Sequence, residues 1–149
     1  MVTRMKNRIA TWIHLILASL VVVGVFLQVY FIASFVSGAG EDALDLHKGI
    51  GGLVHLIEVL VFLSALVAFW GYWKRIGWSL LLPVLGTVQI GLAPGDDPDS
   101  GWVHGLHGLL ALFVLILAAF LAYRDMRLLG LKRGGDMAPA AGPPPQPPA

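Results

Sequence analysis

Residues 9–36 contain no Asp, Glu, Lys or Arg, and this run limits the fold more than any other stretch. As a helix it would be about 42 Å long, against a hydrocarbon layer of about 30 Å. Arg4, Lys6 and Arg8 precede it. A cleavable signal peptide has an apolar core of roughly 7 to 15 residues, so the run reads as a membrane span. Further apolar stretches follow at about 46–73, 77–92 and 102–123. The polar segment 38–45, the pair Lys74 and Arg75, and the acidic, turn-rich segment 93–101 (APGDDPDSG) separate them. Trp70, Tyr72 and Trp73 close the second stretch, as aromatic residues do where spans meet lipid headgroups. Pro83 in the third is tolerable where neighbouring helices satisfy the carbonyl it frees.

Composition agrees with this reading: 57% of the 149 residues are hydrophobic and only 13% charged, with a mean hydropathy of +0.79. Those values lie outside the range of ordinary water-soluble domains. The expected fold is therefore all-α, an integral membrane four-helix bundle over residues 9–133 running up-down-up-down. Residues 1–8 form a basic N-terminus, and residues 134–149, rich in Ala, Gly and Pro, are expected to be a disordered or polyproline-like tail. Of the ten basic residues, Arg4, Lys6, Arg8, Lys74, Arg75, Arg124, Arg127, Lys132 and Arg133 fall on one side and only Lys48 on the other. That bias predicts a plasma (inner) membrane protein with both termini cytoplasmic. Glu41, Asp42, Asp45, Asp96, Asp97 and Asp99 then face outward.

The chain has no cysteine, which excludes disulfides, thiolate metal sites, iron–sulfur clusters and thioether-linked haem. Any metal would be held by His, Glu or Asp. Nothing in the sequence points to nucleic acid. The lipid bilayer is the expected partner, with a redox partner or quinone, a membrane-protein partner and a homodimer left open.

Titratable residues on an apolar helix are the clearest functional signal. Taking His47 as zero and about 100° per residue, Gly51 falls at about 40°, His55 at about 80° and Glu58 at about 20°. One stripe of the second span thus carries two histidines and a carboxylate. Such groups face a bundle interior by default, because exposure to lipid costs several kcal/mol. Gln28 late in span 1, Gln89 late in span 3, and His104 and His107 early in span 4 belong to the same outer half. His14 stands alone near the cytoplasmic end of span 1 and is expected to be structural.

In an up-down-up-down bundle, spans 2 and 4 are parallel and diagonal, roughly 12–14 Å apart. That separation suits two imidazoles with one haem iron between them. The residues thus admit one b-type haem, serving electron transfer or haem handling. Gly51 and Gly108 leave room for a flat macrocycle, although small residues also let membrane helices approach. Counting back from the basic residues, His55 is 19 before Lys74, His104 is 20 before Arg124 and His107 is 17 before it. His47, 27 before Lys74, would lie about 10 Å further out on this count. Depth alone favours His55, while a tilted or protruding span 2 would restore His47.

A resemblance adds to this. The segment Gln28-Val29-Tyr30-Phe31-Ile32-Ala33, the set Asp45-Leu46-His47-Lys48 with Gly51, Gln89, and the motif His104-x-x-x-Gly108-Leu109 carry it. On these residues the chain resembles a family of small four-span bacterial membrane proteins of unknown function. More distantly it is similar to one four-helix half of haem A synthase. The resemblance covers most of the membrane region but not the tail, and it implies His47 and His104 as haem ligands. His55 and His107 are additions to that pattern, and Lys48 stands where the synthase-like pattern has Arg.

Other readings remain open. His47 and His104 would otherwise be interfacial histidines bonded to loop groups. His55 and Glu58, three residues apart, form a buried hydrogen-bonded pair, or support a ligand or carry protons. His107 can replace His104 or meet a haem propionate. Without haem, His55, Glu58, His104 and His107 can hold zinc or iron. A cofactor-free structural or accessory bundle is the remaining alternative. Gln28 and Gln89 are expected to bond between helices, or to touch a quinone or propionate. No catalytic motif is present: Ser19, Ser34, Ser37, Ser64 and Ser79 have no His and acid at a recognisable spacing. Enzymatic activity would at most be that of a redox component.

Overall fold

The computed structural model describes residues 2–93 and 101–131, without the side chains of residues 2–7. Most of the acidic loop and the whole of the proline-rich tail lie outside the described residues. Every regular element is helical: α1 (Val2–Ser34), α2 (Glu41–Ala68), α3 (Trp73–Gly91) and α4 (Gly101–Leu128). A π-helical turn, Phe35–Ala39, ends α1. Gly38 (φ 93°) and Gly40 (φ 88°) there take the left-handed backbone region that side chains disfavour, which lets the chain turn sharply into α2. Gly71 (φ 88°) does the same between α2 and α3.

Helix α2 begins five residues before the expected boundary and ends five before it. The aromatic set Trp70, Tyr72 and Trp73 therefore lies in the turn and at the start of α3 rather than inside a helix. Gly40 frees the backbone ahead of Glu41 and Asp42, whose carboxylates favour the positive end of the new helix dipole.

Helix α1 packs on α2 and α4, and α3 packs on the same two, with no close backbone approach between α1 and α3 or between α2 and α4. The four helices thus stand at the corners of a square, with α2 and α4 diagonal. Helices α1 and α2 meet closely at Gly24, where a Cβ would lie 2.4 Å from Val54 Cγ2. The core runs through Ala18, Val21 and Val25 of α1, Val54 and Val61 of α2, Leu82 of α3, and Val114, Leu117, Ala118 and Leu121 of α4. The spacing of three and four residues along α1 and α4 is that of one buried stripe.

Outside the core the surface is apolar. Ile9, Ile16, Val23, Phe26, Leu53, Leu56, Phe113 and Ile116 are all exposed, whereas His14, Glu58, Ser79 and Asp125 are buried. Water would not tolerate apolar surface on this scale, and lipid requires it. Three segments, Arg8–Ala39, Glu41–Ala68 and Gly101–Leu128, are long and apolar enough to cross a membrane. Helix α3 is shorter, 19 residues, and carries Lys74, Arg75, Ser79, Thr87 and Gln89. Pro83 lies buried within it, and its missing N–H frees the carbonyl of Ser79.

Candidate functional site

Three polar groups interrupt the apolar interior. The first joins the end of α1 to the start of α2. His47 Nδ1 donates to the main-chain oxygen of Gln28 at 3.0 Å, and Gln28 Nε2 donates to the main-chain oxygen of His47 at 2.6 Å. Gly51 belongs to this clasp: a Cβ there would lie 3.3 Å from Gln28 Oε1, so its small size serves the glutamine side chain. On the other side His107 Nδ1 donates to the main-chain oxygen of Gln89 at 2.8 Å, tying α4 to α3. The two half-buried imidazoles face one another, ring centroids 6.4 Å apart and planes at 64°. Each is fixed in the Nδ1–H tautomer by a carbonyl from a different helix, which leaves each Nε2 with a lone pair.

The ring that faces His47 is thus His107, whereas the resemblance selects His104. On a helix the two positions differ by about 60° in direction and about 4.5 Å in height. His104, also half-buried, lies one turn nearer the start of α4. Gly49, Gly52, Gly105 and Gly108 have open space where a Cβ would be.

The second group lies about 12 Å further along α2. His55 Nδ1 donates to Glu58 Oε2 at 3.0 Å, and Glu58 is 2% exposed. Space for this carboxylate comes from α3, since a Cβ on Gly86 would lie 1.7 Å from Glu58 Oε2 and 2.7 Å from His55 Nδ1. Both distances are far inside van der Waals contact. Gly86→Ala is therefore expected to push the carboxylate off His55 and destabilise the bundle by about 1–3 kcal/mol. The same change made on Glu58→Ala should cost little, and unfolding titrations of the two single variants and the double would measure the coupling. Equal costs in both backgrounds would refute the fit between Gly86 and Glu58.

The third group went unread in the sequence. His14, in α1, donates through Nδ1 to Asp125 Oδ2 of α4 at 2.5 Å and meets Ser79 Oγ of α3 through Nε2 at 3.0 Å. The Ser79 hydroxyl in turn donates to the main-chain oxygen of Arg75 at 3.2 Å. Phe69 packs edge-on against the imidazole, centroids 5.2 Å apart. His14 and Ser79 are fully buried and Asp125 is 2% exposed. His14 is thus not alone, and Ser79 does have a histidine and an acid beside it. The order of contacts is that of a hydrolytic triad, but all three side chains are buried between α1, α3 and α4, and the Ser79 hydroxyl is shared with the main-chain oxygen of Arg75, so the group acts as a clasp among three helices.

No buried side-chain nitrogen or oxygen among the described residues lacks a partner. Nor do the described residues include three or more His, Asp or Glu grouped so as to hold a metal ion. His55, Glu58, His104 and His107 therefore do not assemble into the metal site of the haem-free alternative. A haem iron asks for less, because the porphyrin supplies four nitrogens and the protein only one or two ligands.

Fold and site together define a small all-α bundle with three helices suited to crossing a membrane and polar groups enclosed along its interior. No protein-family model, curated protein or solved structure matches the chain.

Proposed function

We propose that the protein is an integral membrane four-helix bundle that binds one b-type haem between α2 and α4, for electron transfer or haem handling. In this reading all four helices span the plasma membrane in alternating directions. Both termini are cytoplasmic and the His47 end faces outward. His47 and His107 are the ligands, with His104 the alternate on α4 that the family resemblance implies.

The observation that carries the proposal is the His47–His107 pair. Two imidazole nitrogens bound at about 2 Å on either side of one metal place their ring centroids roughly 6 Å apart, close to the 6.4 Å separation found here. The carbonyls of Gln28 and Gln89 orient the rings through Nδ1, as carbonyl partners of metal-binding histidines commonly do. Bound there, haem iron would supply one-electron chemistry. The chain itself would hold the rings and keep water from the buried interior. A cofactor-free bundle draws on the same bonds, since the reciprocal Gln28–His47 pair also fastens helices without any ligand.

Protein purified from cells supplied with haem should show a Soret band and, on reduction with dithionite, a sharp α band. A colourless preparation would sink the haem reading. Orientation is testable apart from haem, because the chain has no native cysteine. In whole cells a membrane-impermeant maleimide should label Glu41→Cys and leave Arg127→Cys unlabelled until lysis. The opposite pattern would overturn the orientation.

A further inference from the structure

At the His14 end of the bundle, Phe69, Arg75, Ser79, Leu121, Arg124 and Asp125 line a shallow open cleft. We infer that this cleft binds the phosphate of an anionic membrane lipid, gripped by Arg75 of α3 and Arg124 of α4. The inference rests on the membrane reading above but not on haem.

Charge is the first argument. Two guanidiniums and one carboxylate line the cleft, and the carboxylate, Asp125, is already engaged by His14. No carboxylate among the described residues forms a salt bridge with Arg75 or Arg124. Lys74 and Arg127 lie nearby in sequence and add to the positive field. The cleft therefore attracts an anion.

Preorganisation is the second. Arg75 lies over the rings of Phe69 and Tyr72, 5.3 and 5.9 Å from their centroids, and Arg124 lies 5.3 Å from that of Phe120. These cation–π contacts hold each guanidinium beside an aromatic ring, which takes up none of its N–H donors in hydrogen bonds and leaves them for an oxyanion, which arginine grips through paired hydrogen bonds. Ser79, Phe69 and Leu121 form the wall behind them.

Position selects a lipid over a free phosphate. Arg75 sits in the first turn of α3 and Arg124 in the last turns of α4, beside exposed Trp70, Tyr72, Trp73 and Tyr123. Such a belt marks the depth of lipid headgroups, where basic pockets between helices take anionic ones. Apolar surface lies beside the cleft at Trp78 and Phe120, both exposed with ring centroids 5.8 Å apart, where acyl chains can lie.

The test uses the full chain in detergent, stripped of lipid. Native mass spectrometry with added phosphatidylglycerol, phosphatidylcholine or inorganic phosphate reads retention of each. The wild type should retain phosphatidylglycerol in clear preference to phosphatidylcholine. Arg75→Gln with Arg124→Gln should weaken that retention by about tenfold or more. Lys74→Gln with Arg127→Gln removes the same charge outside the cleft and should change retention less than about threefold. Equal losses in the two double variants would overturn the inference in favour of diffuse charge. Arginine-dependent retention of inorganic phosphate without lipid would overturn the lipid assignment, as would no preference between the lipids. Alkaline extraction of membranes tests insertion separately, so a protein that stays in the membrane but fails the lipid test overturns the cleft alone.

Discussion

His107→Ala is expected to abolish the low-spin haem spectrum, and His47→Ala to do the same. His104→Ala should leave the α band in place. The expectation follows from geometry rather than from histidine count. His47 and His107 are the pair whose rings face across the bundle, and each is oriented by a main-chain carbonyl that no side-chain change removes. In the proposed haem site, losing one of the two histidine ligands would weaken the hold on the iron, so the sharp α band should broaden or vanish even where some haem remains. His55→Ala serves as a further control, since its Nδ1 is committed to Glu58. Spectra retained in His107→Ala and lost in His104→Ala would move the ligand one turn along α4, as the family resemblance implies. Spectra retained in all four variants would remove haem ligation from these histidines altogether.

The second large effect lies at the other end of the bundle. Asp125→Ala or His14→Ala should destabilise the protein by about 3 kcal/mol or more, because each leaves a buried polar partner uncompensated. Ser79→Ala should cost less, about 1–3 kcal/mol, since it removes the hydroxyl's bonds to His14 and Arg75 and leaves His14 bonded to Asp125. Replacing both members, His14→Leu with Asp125→Leu, should recover much of the loss, because no stranded group remains. Denaturant or SDS titration in mixed micelles measures all four. An Asp125→Ala protein within about 0.5 kcal/mol of wild type would show that the clasp contributes nothing.

What could be read from sequence, and what could not, divides along physical lines. Long charge-free runs bounded by basic residues announce helices, and 9–36 and 102–123 were legible for that reason. So was the inward stripe of α2, because His47, Gly51, His55 and Glu58 repeat at helical spacing; the structure buries Glu58 and half-buries both histidines. The rotation of α4 was not legible. Its apolar residues surround the helix almost evenly, so nothing in the pattern says which of His104 and His107 points across the bundle. Asp125 was hidden by company: between Arg124 and Arg127 it reads as one charge of a solvated helix end. Its partner, His14, lies 111 positions away. Glycine roles were half legible. A small residue at 51 or 86 signals close packing, but only three dimensions show that Gly51 accommodates Gln28 and Gly86 accommodates Glu58.

The same 111-residue separation has a consequence for biosynthesis. A ribosome adding roughly 5–20 residues per second delivers His14 several seconds before Asp125 exists. Ser79 arrives between them, so the histidine of the first helix can be met by a hydroxyl before it is met by a carboxylate. Until α4 is made, the nascent chain holds His14 Nδ1 without its final partner. Completion of the last helix supplies the Asp125 carboxylate, so a product truncated before residue 125 would join α1 to α3 at this end but not to α4.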